Sequence, residues 1–349
     1  MAFRFGLIGA GVAAELHVPA MRAVPDVEVT AIADVDTGRA QVLADRLHIP
    51  EVYENTDALL ENAAVDALAI LSPHHLHLPA VRAAVRKRKH VLVEKAIAHT
   101  AEAADAMIEL CQAGGVTLGG IFQYRFTPAA RSLKEAVLSG RLGRIFLASV
   151  SVKLHRTPDY YAHAPWRGRK AEAGGGVLMI QAIHTLDLLL WTIGMPRRVL
   201  ARTATAAHAV EVEDVAVGVL EYPDGCLAVL QTTTGAVPEH PPELQIHGDR
   251  GTAATCDNRG DLLFWSSTVD RPASLADRWR TIASQYCEQT VDVPRQATTD
   301  PHAENIRDFV NAVHDGRPPL VDGVEARKAV LVAGALYRSA ELGTWVELP

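Results

Sequence analysis

The stretch Phe5-Gly6-Leu7-Ile8-Gly9-Ala10-Gly11-Val12-Ala13-Ala14 decides how the N-terminal half of this chain folds. An apolar run leads into two closely spaced glycines, and a helical pattern follows at once. Gly9 permits the tight turn, Gly11 lets the backbone approach a pyrophosphate, and Ala14 keeps the helix close to its strand. The free N–H groups at the start of the helix, at Val12 and Ala13, can bind a diphosphate. We therefore expect a dinucleotide-binding turn.

A carboxylate follows the next apolar run and bears on the choice of cofactor. Asp34 lies about twenty residues past the glycine turn, where it can accept hydrogen bonds from both hydroxyls of a ribose. A 2′-phosphate would face this negative charge, and the next residues, Val35 and Asp36, supply no arginine to offset it. The sequence therefore favours NAD over NADP.

Composition excludes several classes of protein. With 349 residues, 48% of them hydrophobic and 21% charged, the chain is long enough for two globular domains. A net charge of −7 offers no general attraction to nucleic acid or to an anionic membrane, so we expect neither partner. The four cysteines are scattered, which predicts no zinc site, no other metal site and no disulfide framework. The scattered cysteines fit a reducing compartment, so we expect a cytoplasmic protein, and no apolar run reaches membrane-spanning length.

The alternation of patterns along the chain predicts an α/β architecture with two domains. Residues 1–122 alternate short apolar strands with amphipathic helices, which is typical of a doubly wound parallel sheet. Five predicted strands of this domain run from Phe3 to Ile8, Val27 to Ala33, Ala67 to Leu71, His90 to Glu94 and Thr117 to Phe122. Residues 123–349 change to longer strands, which predict a substrate-binding and oligomerisation domain with an open, mixed, mainly antiparallel sheet and two C-terminal helices.

The predicted open sheet has helices on one face only. A second copy of the chain is the simplest cover for the other face. We therefore expect a homodimer or a homotetramer that assembles through the C-terminal sheet.

Three segments follow strands or glycine loops at positions where ligands bind in doubly wound folds. They are Ser72-Pro73-His74-His75-Leu76-His77, the pair Glu94-Lys95, and the loop Gly174-Gly175-Gly176 with His184 on the following helix. Charged residues at the end of a buried strand are costly unless they are used or paired. Taken singly, Lys95 could equally form a structural ion pair, and His184 could be a core histidine.

Taken together, these motifs resemble one family. The glycine turn, the Ser72-Pro73 loop, Val91-Leu92-Val93-Glu94-Lys95, Gln123-Tyr124-Arg125-Phe126, Trp166-Arg167-Gly168 and the triple glycine with His184-x-x-Asp187 occur in the order typical of the Gfo/Idh/MocA family. The resemblance implies a Rossmann domain, a C-terminal α+β domain, and NAD(P)-linked oxidation or reduction of a sugar, glycoside or cyclic polyol.

The resemblance also implies roles for individual residues. Lys95 matches the family's acid/base lysine, and His184 matches the histidine that contacts the reacting hydroxyl. The predicted cofactor contacts are Gly9, Gly11, Val12, Ala13, Asp34, Ser72, Pro73, His75, His77, Glu94, Lys95 and Arg125. The predicted substrate contacts are Lys95, Lys153, Tyr161, Trp166, Arg167, Ile180, Gln181 and His184.

Two positions depart from the family pattern. Ala96 stands where the family has proline, and Ile180 stands where it has Asp or Asn four residues before the histidine. An isoleucine cannot bind a hydroxyl, so Gln181 or His155 would supply that contact, or the substrate differs there, or catalysis is weakened. Two alternatives therefore stay open: an enzyme that holds NAD tightly and uses transient oxidation to cleave or rearrange its substrate, and a dinucleotide-sensing regulator without turnover.

Overall fold

The computed structural model describes residues 2–256, 261–266 and 300–349. These residues form two compact units, and each unit is assembled from separate stretches of the chain. Counted over the described residues, the first unit comprises residues 2–123, Trp166–Gly175 and residues 300–331, and the second comprises Tyr124–Pro165, residues 176–256 and 261–266, and Val332–Pro349. The segment Trp166–Gly175 thus belongs to the N-terminal unit, although it follows the first stretch of the second unit in the chain.

Parallel strands form the sheet of the first unit: β1 (Phe3–Ile8), β2 (Val27–Ala33), β3 (Glu51–Tyr53), β4 (Ala67–Ile70), β5 (His90–Val93) and β6 (Leu118–Gly120). Their order is β3-β2-β1-β4-β5-β6, so the direction in which the sheet grows reverses between β1 and β4. Ligands of such sheets bind beyond the carboxyl ends of the strands at this reversal. The predicted doubly wound sheet is confirmed. The short strand β3 was not predicted, because three residues are too few to show the alternation of apolar residues that indicates a strand.

The helices, in chain order, are α1 (Val12–Arg22), α2 (Thr37–Leu47), α3 (Thr56–Asn62), α4 (His77–Arg86), α5 (Ala101–Gly114), α6 (Pro128–Leu138), α7 (Pro158–Ala162), α8 (Lys170–Ala173), α9 (Val177–Ile180), α10 (Ile183–Ile193), α11 (Pro301–Asp315) and α12 (Gly323–Leu342). Their ends follow local chemistry. The Thr100 side chain accepts from the N–H of Ala103 at the start of α5, and Gly115 ends that helix in the left-handed region.

The core of the first unit lies between β1 and the helices on its faces. Phe5 and Leu7 of β1 are fully buried, and Phe309 of α11 packs against Phe5 with ring centroids 6.1 Å apart. Truncating such a phenylalanine to alanine costs about 3–5 kcal/mol of unfolding free energy. This core holds the glycine turn and the ends of the neighbouring strands in place.

The second unit contains β7 (Ile145–His155), β8 (Arg198–Ala204), β9 (Val215–Glu221), β10 (Leu227–Thr233), β11 (Gly235–Gly248), β12 (Gly251–Cys256), β13 (Asp261–Ser266) and β14 (Val346–Glu347). The order is β13-β12-β11-β7-β10-β9-β8-β14. β7 and β10 pair in parallel, and the other neighbours pair antiparallel. The predicted open, mixed and mainly antiparallel sheet is confirmed.

Alternation along the central strands separates two faces of this sheet. Ala148, Val150 and Val152 of β7 are fully buried, whereas the residues between them are partly accessible. Helices α9 and α10 pack on the buried face, and α10 is buried on nearly all sides. No single helix among the described residues is long and apolar enough to cross a membrane, and one bent pair, Lys170–Ile180 with Ile183–Ile193, passes that test only jointly.

Candidate active site

The glycine turn of the first unit has the geometry that a dinucleotide requires. Gly9 has φ of +107°, and a Cβ there would lie 3.0 Å from the backbone of Leu71, so a side chain would be strained and crowded. A Cβ on Gly11 would meet nothing within 4 Å, and Val12 is 65% exposed. The N-terminus of α1 is therefore open above its free N–H groups, which fits a pyrophosphate.

Asp34 is held at the end of β2 by three donors. Its carboxylate accepts from the N–H of Ala10 at 2.7 Å, from the N–H of Asp36 at 2.9 Å and from the guanidinium of Arg39 at 2.7 Å. Arg39 was not predicted, because it does not directly follow Asp34 in the chain. The signal was a basic residue in the first turn of α2, five positions beyond the carboxylate. Arg39 balances part of the charge that is predicted to exclude a 2′-phosphate.

The segment after β4 divides into accessible and interior residues. Ser72, Pro73 and His75 are partly exposed at the carboxyl end of the sheet, next to the strand reversal. His77 is fully buried, and its ring nitrogens lie 2.8 Å from the carbonyl of Ser72 and 3.0 Å from that of Ile97. The ring of His77 therefore contacts two backbone carbonyls in the interior of the first unit. This placement does not match the predicted contact with the cofactor.

Glu94 and Lys95 follow β5 directly, as predicted. One carboxylate oxygen of Glu94 lies 3.0 Å from the ring of His17 on α1, and the other accepts from the backbone N–H of Lys95 at 2.5 Å. One carboxylate oxygen thus holds the backbone of Lys95, and the other ties Glu94 to α1. His17 is 1% exposed and was missed, because nothing in the local pattern of α1 distinguishes it from other core residues.

Trp166 and Arg167, predicted to contact the substrate, belong to the first unit. The indole of Trp166 packs edge-on against His74, with centroids 4.9 Å apart, and the Arg167 guanidinium lies 5.9 Å from the centre of that indole. The His74 ring also binds the carbonyl of Ala173 in the same segment. These contacts dock the segment Trp166–Gly175 on the loop that follows β4.

His184 lies at the first turn of α10 in the second unit. Its imidazole stacks on the ring of Tyr124, with centroids 4.6 Å apart and planes 28° apart, and it is 9% exposed. Stacking of this kind restricts rotation of the imidazole.

Arg125 makes a second contact between the same two segments. Its guanidinium forms a bidentate pair with Asp187 at 2.8 and 2.7 Å, and the two side chains are 0% and 1% exposed. The cofactor contact predicted for Arg125 does not match this placement, because a buried charge of this kind must stay with its partner. Tyr124 and Arg125 are adjacent, and His184 and Asp187 lie one helical turn apart, so the ion pair supports the ring stack.

The helix that carries His184 is interrupted at Gln181 and Ala182. The N–H of Ala182 donates to the carbonyl of Val177 at 2.8 Å, five residues back, as in a π-type bulge. The sequence predicts one regular helical turn between Ile180 and His184, and the bulge adds a residue to that turn. Ile180 is 6% exposed and packs inward.

Gln181 is the polar side chain at this interruption. Its amide donates to the hydroxyl of Tyr160 at 3.0 Å, and the Arg156 guanidinium lies 5.5 Å from the ring centre of Tyr160. Tyr161, the predicted substrate contact, is 9% exposed, and its hydroxyl lies 3.1 Å from Thr234. Tyr160 is therefore the tyrosine next to Gln181, and Tyr161 packs internally.

Lys153 and His155 lie near the end of β7. Lys153 alternates with Val152 on β7 and so lies on the open face of the sheet, away from α9 and α10. His155 is exposed at the end of β7. Of the two proposed replacements for the missing carboxylate or amide, Gln181 is the one that lies beside the helix of His184.

Glu213 holds the glycine loop that precedes α9. Its carboxylate accepts from the N–H groups of Gly176 at 2.7 Å and Leu178 at 3.0 Å and from the hydroxyl of Tyr337 at 2.8 Å. Burial raises the pKa of Glu213, and these donors oppose that rise. Sequence reasoning missed this residue, because its partners lie 37 and 124 positions away. No group of three metal-ligating side chains occurs in the part of the chain that the structure describes.

Two family models match the chain. The NAD-binding Rossmann fold of an oxidoreductase family matches residues 3–121, and the Gfo/Idh/MocA C-terminal domain matches residues 130–254. The chain belongs to the Gfo/Idh/MocA family. The predicted family is confirmed, and with it an oxidoreductase whose cofactor is NAD.

Other Gfo/Idh/MocA proteins align over almost the whole chain. D-xylose 1-dehydrogenase (NADP(+)) 2 of Haloferax volcanii is 31% identical over 347 residues, which are 99% of each chain. Myo-inositol 2-dehydrogenase of Thermotoga maritima is 26% identical, over 97% of this chain and 96% of that protein. The WlbA dehydrogenase of Bordetella pertussis, solved with NADH and UDP-GlcNAcA, superposes with a TM-score of 0.87 at 28% identity, over 100% of this chain and 98% of that one.

Proposed function

We propose that this protein is an NAD-dependent dehydrogenase that moves a hydride between nicotinamide and a hydroxyl-bearing carbon of a sugar, glycoside or cyclic polyol. The observation that carries the proposal is the placement of Lys95 directly after β5, at the same carboxyl edge of the sheet as the glycine turn, with its backbone fixed by Glu94. The names of the xylose and inositol dehydrogenases among the relatives support the substrate class.

Lys95 is the proposed acid/base. NAD, when bound, accepts the hydride from the carbon that bears the reacting hydroxyl. The neutral amine of Lys95 takes the proton of that hydroxyl as the hydride leaves, and in the reverse direction the ammonium returns it. Gly9 and Gly11 allow the cofactor's diphosphate to approach the N-terminus of α1, and Asp34 binds the adenosine ribose.

His184 is proposed to contact the reacting hydroxyl, as the family resemblance implies. A ring nitrogen of the imidazole can hold the hydroxyl oxygen in line for proton transfer. The stack on Tyr124 and the pair between Arg125 and Asp187 support this role, because they limit the orientations of the imidazole. We expect His184→Ala to lower kcat by about a hundredfold, within the range of general acid–base contributions.

Gln181 and Tyr160 are proposed to replace the polar group that is missing at Ile180. The amide oxygen of Gln181 is buried and has no hydrogen-bond partner among the described residues, so it can accept a hydrogen bond from a substrate hydroxyl. We expect Gln181→Leu to raise KM about tenfold, with a smaller change in kcat, since a binding contact is lost. Tyr161→Phe is the matched control, because that hydroxyl is already bound internally to Thr234.

We also propose that two copies of the chain pair through the open face of the second sheet. This face presents Leu147, Val217, Leu227 and Val229, each between 40% and 49% exposed, on neighbouring strands. A continuous apolar strip of this kind is a usual feature of homodimer interfaces. Val229→Lys should shift the molar mass measured by light scattering towards that of a monomer, whereas an unchanged mass would reject this interface.

The test of the function is NADH formation when the purified protein is given NAD and a panel of sugars, inositols, glycosides and nucleotide sugars. We expect NADH with one stereochemical class and none with Lys95→Met. Bound cofactor without NADH release across the panel would favour an internal redox cycle. Cofactor binding without any substrate conversion would favour a sensor, and both results would reject the dehydrogenase.

A further inference from the structure

His74 is a buried histidine to which the proposed chemistry assigns no role. It is 3% exposed and begins the short turn after β4. Its Nδ1 lies 2.8 Å from the carbonyl oxygen of Ala173, and its Nε2 lies 3.3 Å from the backbone nitrogen of Ala96. Ala96 directly follows Lys95, so this ring touches the backbone next to the proposed acid/base.

The partners fix the tautomer of the ring. The carbonyl of Ala173 can only accept, so Nδ1 carries the hydrogen and donates it. The N–H of Ala96 can only donate, so Nε2 accepts with its lone pair. Burial lowers the pKa of His74 to about 3, with a smaller contribution from His77, and the ring therefore stays neutral and keeps both bonds at neutral pH.

We propose that His74 is a positioning residue for Lys95. It holds the N–H that follows Lys95, while the carboxylate of Glu94 holds the N–H of Lys95 itself. The lysine side chain is long and rotatable, so the position of its amine depends on how well its backbone is fixed. This inference rests on the proposed acid/base role of Lys95 and adds a residue that never touches the substrate.

The same geometry couples positions 74 and 96. Any residue except proline supplies the N–H at position 96, and a proline there would leave the buried Nε2 of His74 without its donor. In turn, a residue at position 74 without an acceptor at that distance would leave the buried N–H of Ala96 unsatisfied. Removing both partners should therefore cost less free energy than the sum of the two separate losses.

Four variants test the two hydrogen bonds of the His74 ring separately. The amide of His74→Asn ends near the position of Nδ1, so it can keep the bond to Ala173 but cannot reach Ala96. The longer amide of His74→Gln can place its oxygen near the position of Nε2, so it keeps the bond to Ala96. Ala96→Pro removes the donor, and the double variant His74→Asn/Ala96→Pro removes both partners.

The readouts are kcat, the affinity for NAD, and the primary isotope effect with substrate deuterated at the reacting carbon. We expect His74→Asn and Ala96→Pro each to lower kcat about tenfold, the effect of one lost buried hydrogen bond. The isotope effect should rise and NAD affinity should stay within about twofold. His74→Gln should keep most of kcat, and the double variant should lose less than the product of the single losses. Parent-like kcat and isotope effect in His74→Asn, or fully multiplicative losses, would overturn the inference.

Hydrogen exchange of the Ala96 amide tests the contact without turnover. We expect its exchange to accelerate at least about tenfold in His74→Asn and to stay slow in His74→Gln. Unchanged protection in His74→Asn would overturn the inference even if the parent enzyme is active. A parent enzyme that forms no NADH would instead count against the proposed function, so the two failures are distinguishable.

Discussion

Lys95 and His184, the two proposed catalytic residues, are held in place by different kinds of interaction. Around Lys95 the contacts are hydrogen bonds to backbone N–H groups, made by Glu94 and His74. Around His184 the contacts are a ring stack with Tyr124 and a buried ion pair between Arg125 and Asp187. We therefore expect changes in the first region to lower catalysis more than stability, whereas changes in the second should lower both.

The largest effect should come from Lys95 itself. We expect Lys95→Met to lower hydride transfer by about 10²–10⁴-fold, because general acid–base catalysis is removed while the unbranched side chain keeps similar bulk. NAD binding, measured by calorimetry, should survive. If the variant loses cofactor binding as well, Lys95 is a structural residue and the contrast between the two regions fails.

The ion pair in the second unit should dominate stability. Asp187→Asn leaves the guanidinium of Arg125 buried without its counter-charge, and we expect a loss of about 3–5 kcal/mol of unfolding free energy. Glu347→Gln is the control, because Arg197 and Glu347 are 59% and 58% exposed and their pair should contribute less than about 1 kcal/mol. Chemical denaturation of both variants checks this, and equal losses would show that burial does not decide the cost.

Cofactor preference should depend on two residues of opposite charge in the first unit. Asp34→Ala should improve the ratio of NADP to NAD use about tenfold or more, since a charge-assisted contact to the ribose is lost. Arg39→Ala should shift the same ratio towards NAD, because the cation beside Asp34 is removed. Steady-state kinetics with both cofactors measures these ratios, and unchanged selectivity in Asp34→Ala would remove that carboxylate from the ribose site.

Acid should destabilise the first unit through His74. The pKa of this ring is depressed to about 3 by burial, below the ordinary value of 6.5, so folding is favoured by a neutral ring. This contribution to the unfolding free energy is complete above pH 6.5 and is lost as the pH falls towards 3. By pH 5 the loss amounts to roughly 2 kcal/mol. His74→Gln should therefore show a flatter decline of the melting temperature between pH 7 and pH 5. An identical decline in parent and variant would contradict the assigned burial.

The sequence predicted the two sheets because their signals are local. The glycine turn with its flanking strand and helix, and the change from short to long strands, can be read within a few neighbouring residues. Lys95 and His184 were found through motifs at the ends of such elements. In both regions the supporting residues were missed: Arg39, His17 and Glu213 act through partners that only tertiary packing brings near.

Two features of the second unit could not be read from the sequence for the same reason. Gln181 and Ala182 are acceptable helix formers, so nothing local indicates the interruption of the helix between Ile180 and Ile183. Tyr160 and Tyr161 are adjacent and chemically equal, and only the packing of Tyr161 against Thr234 distinguishes them. The sequence shows Arg125 and Asp187 as opposite charges in apolar surroundings. It does not show that the two side chains are close in space.

The most direct test of the account follows a deuterium label from the reacting carbon of the substrate found in the panel to the nicotinamide, in the parent protein and in Lys95→Met. We predict labelled NADH in the parent, and in the variant bound NAD with at most a trace of label. Transfer in Lys95→Met at the parent rate, or no label on the nicotinamide of the parent, would contradict NAD-linked oxidation with Lys95 as the acid/base.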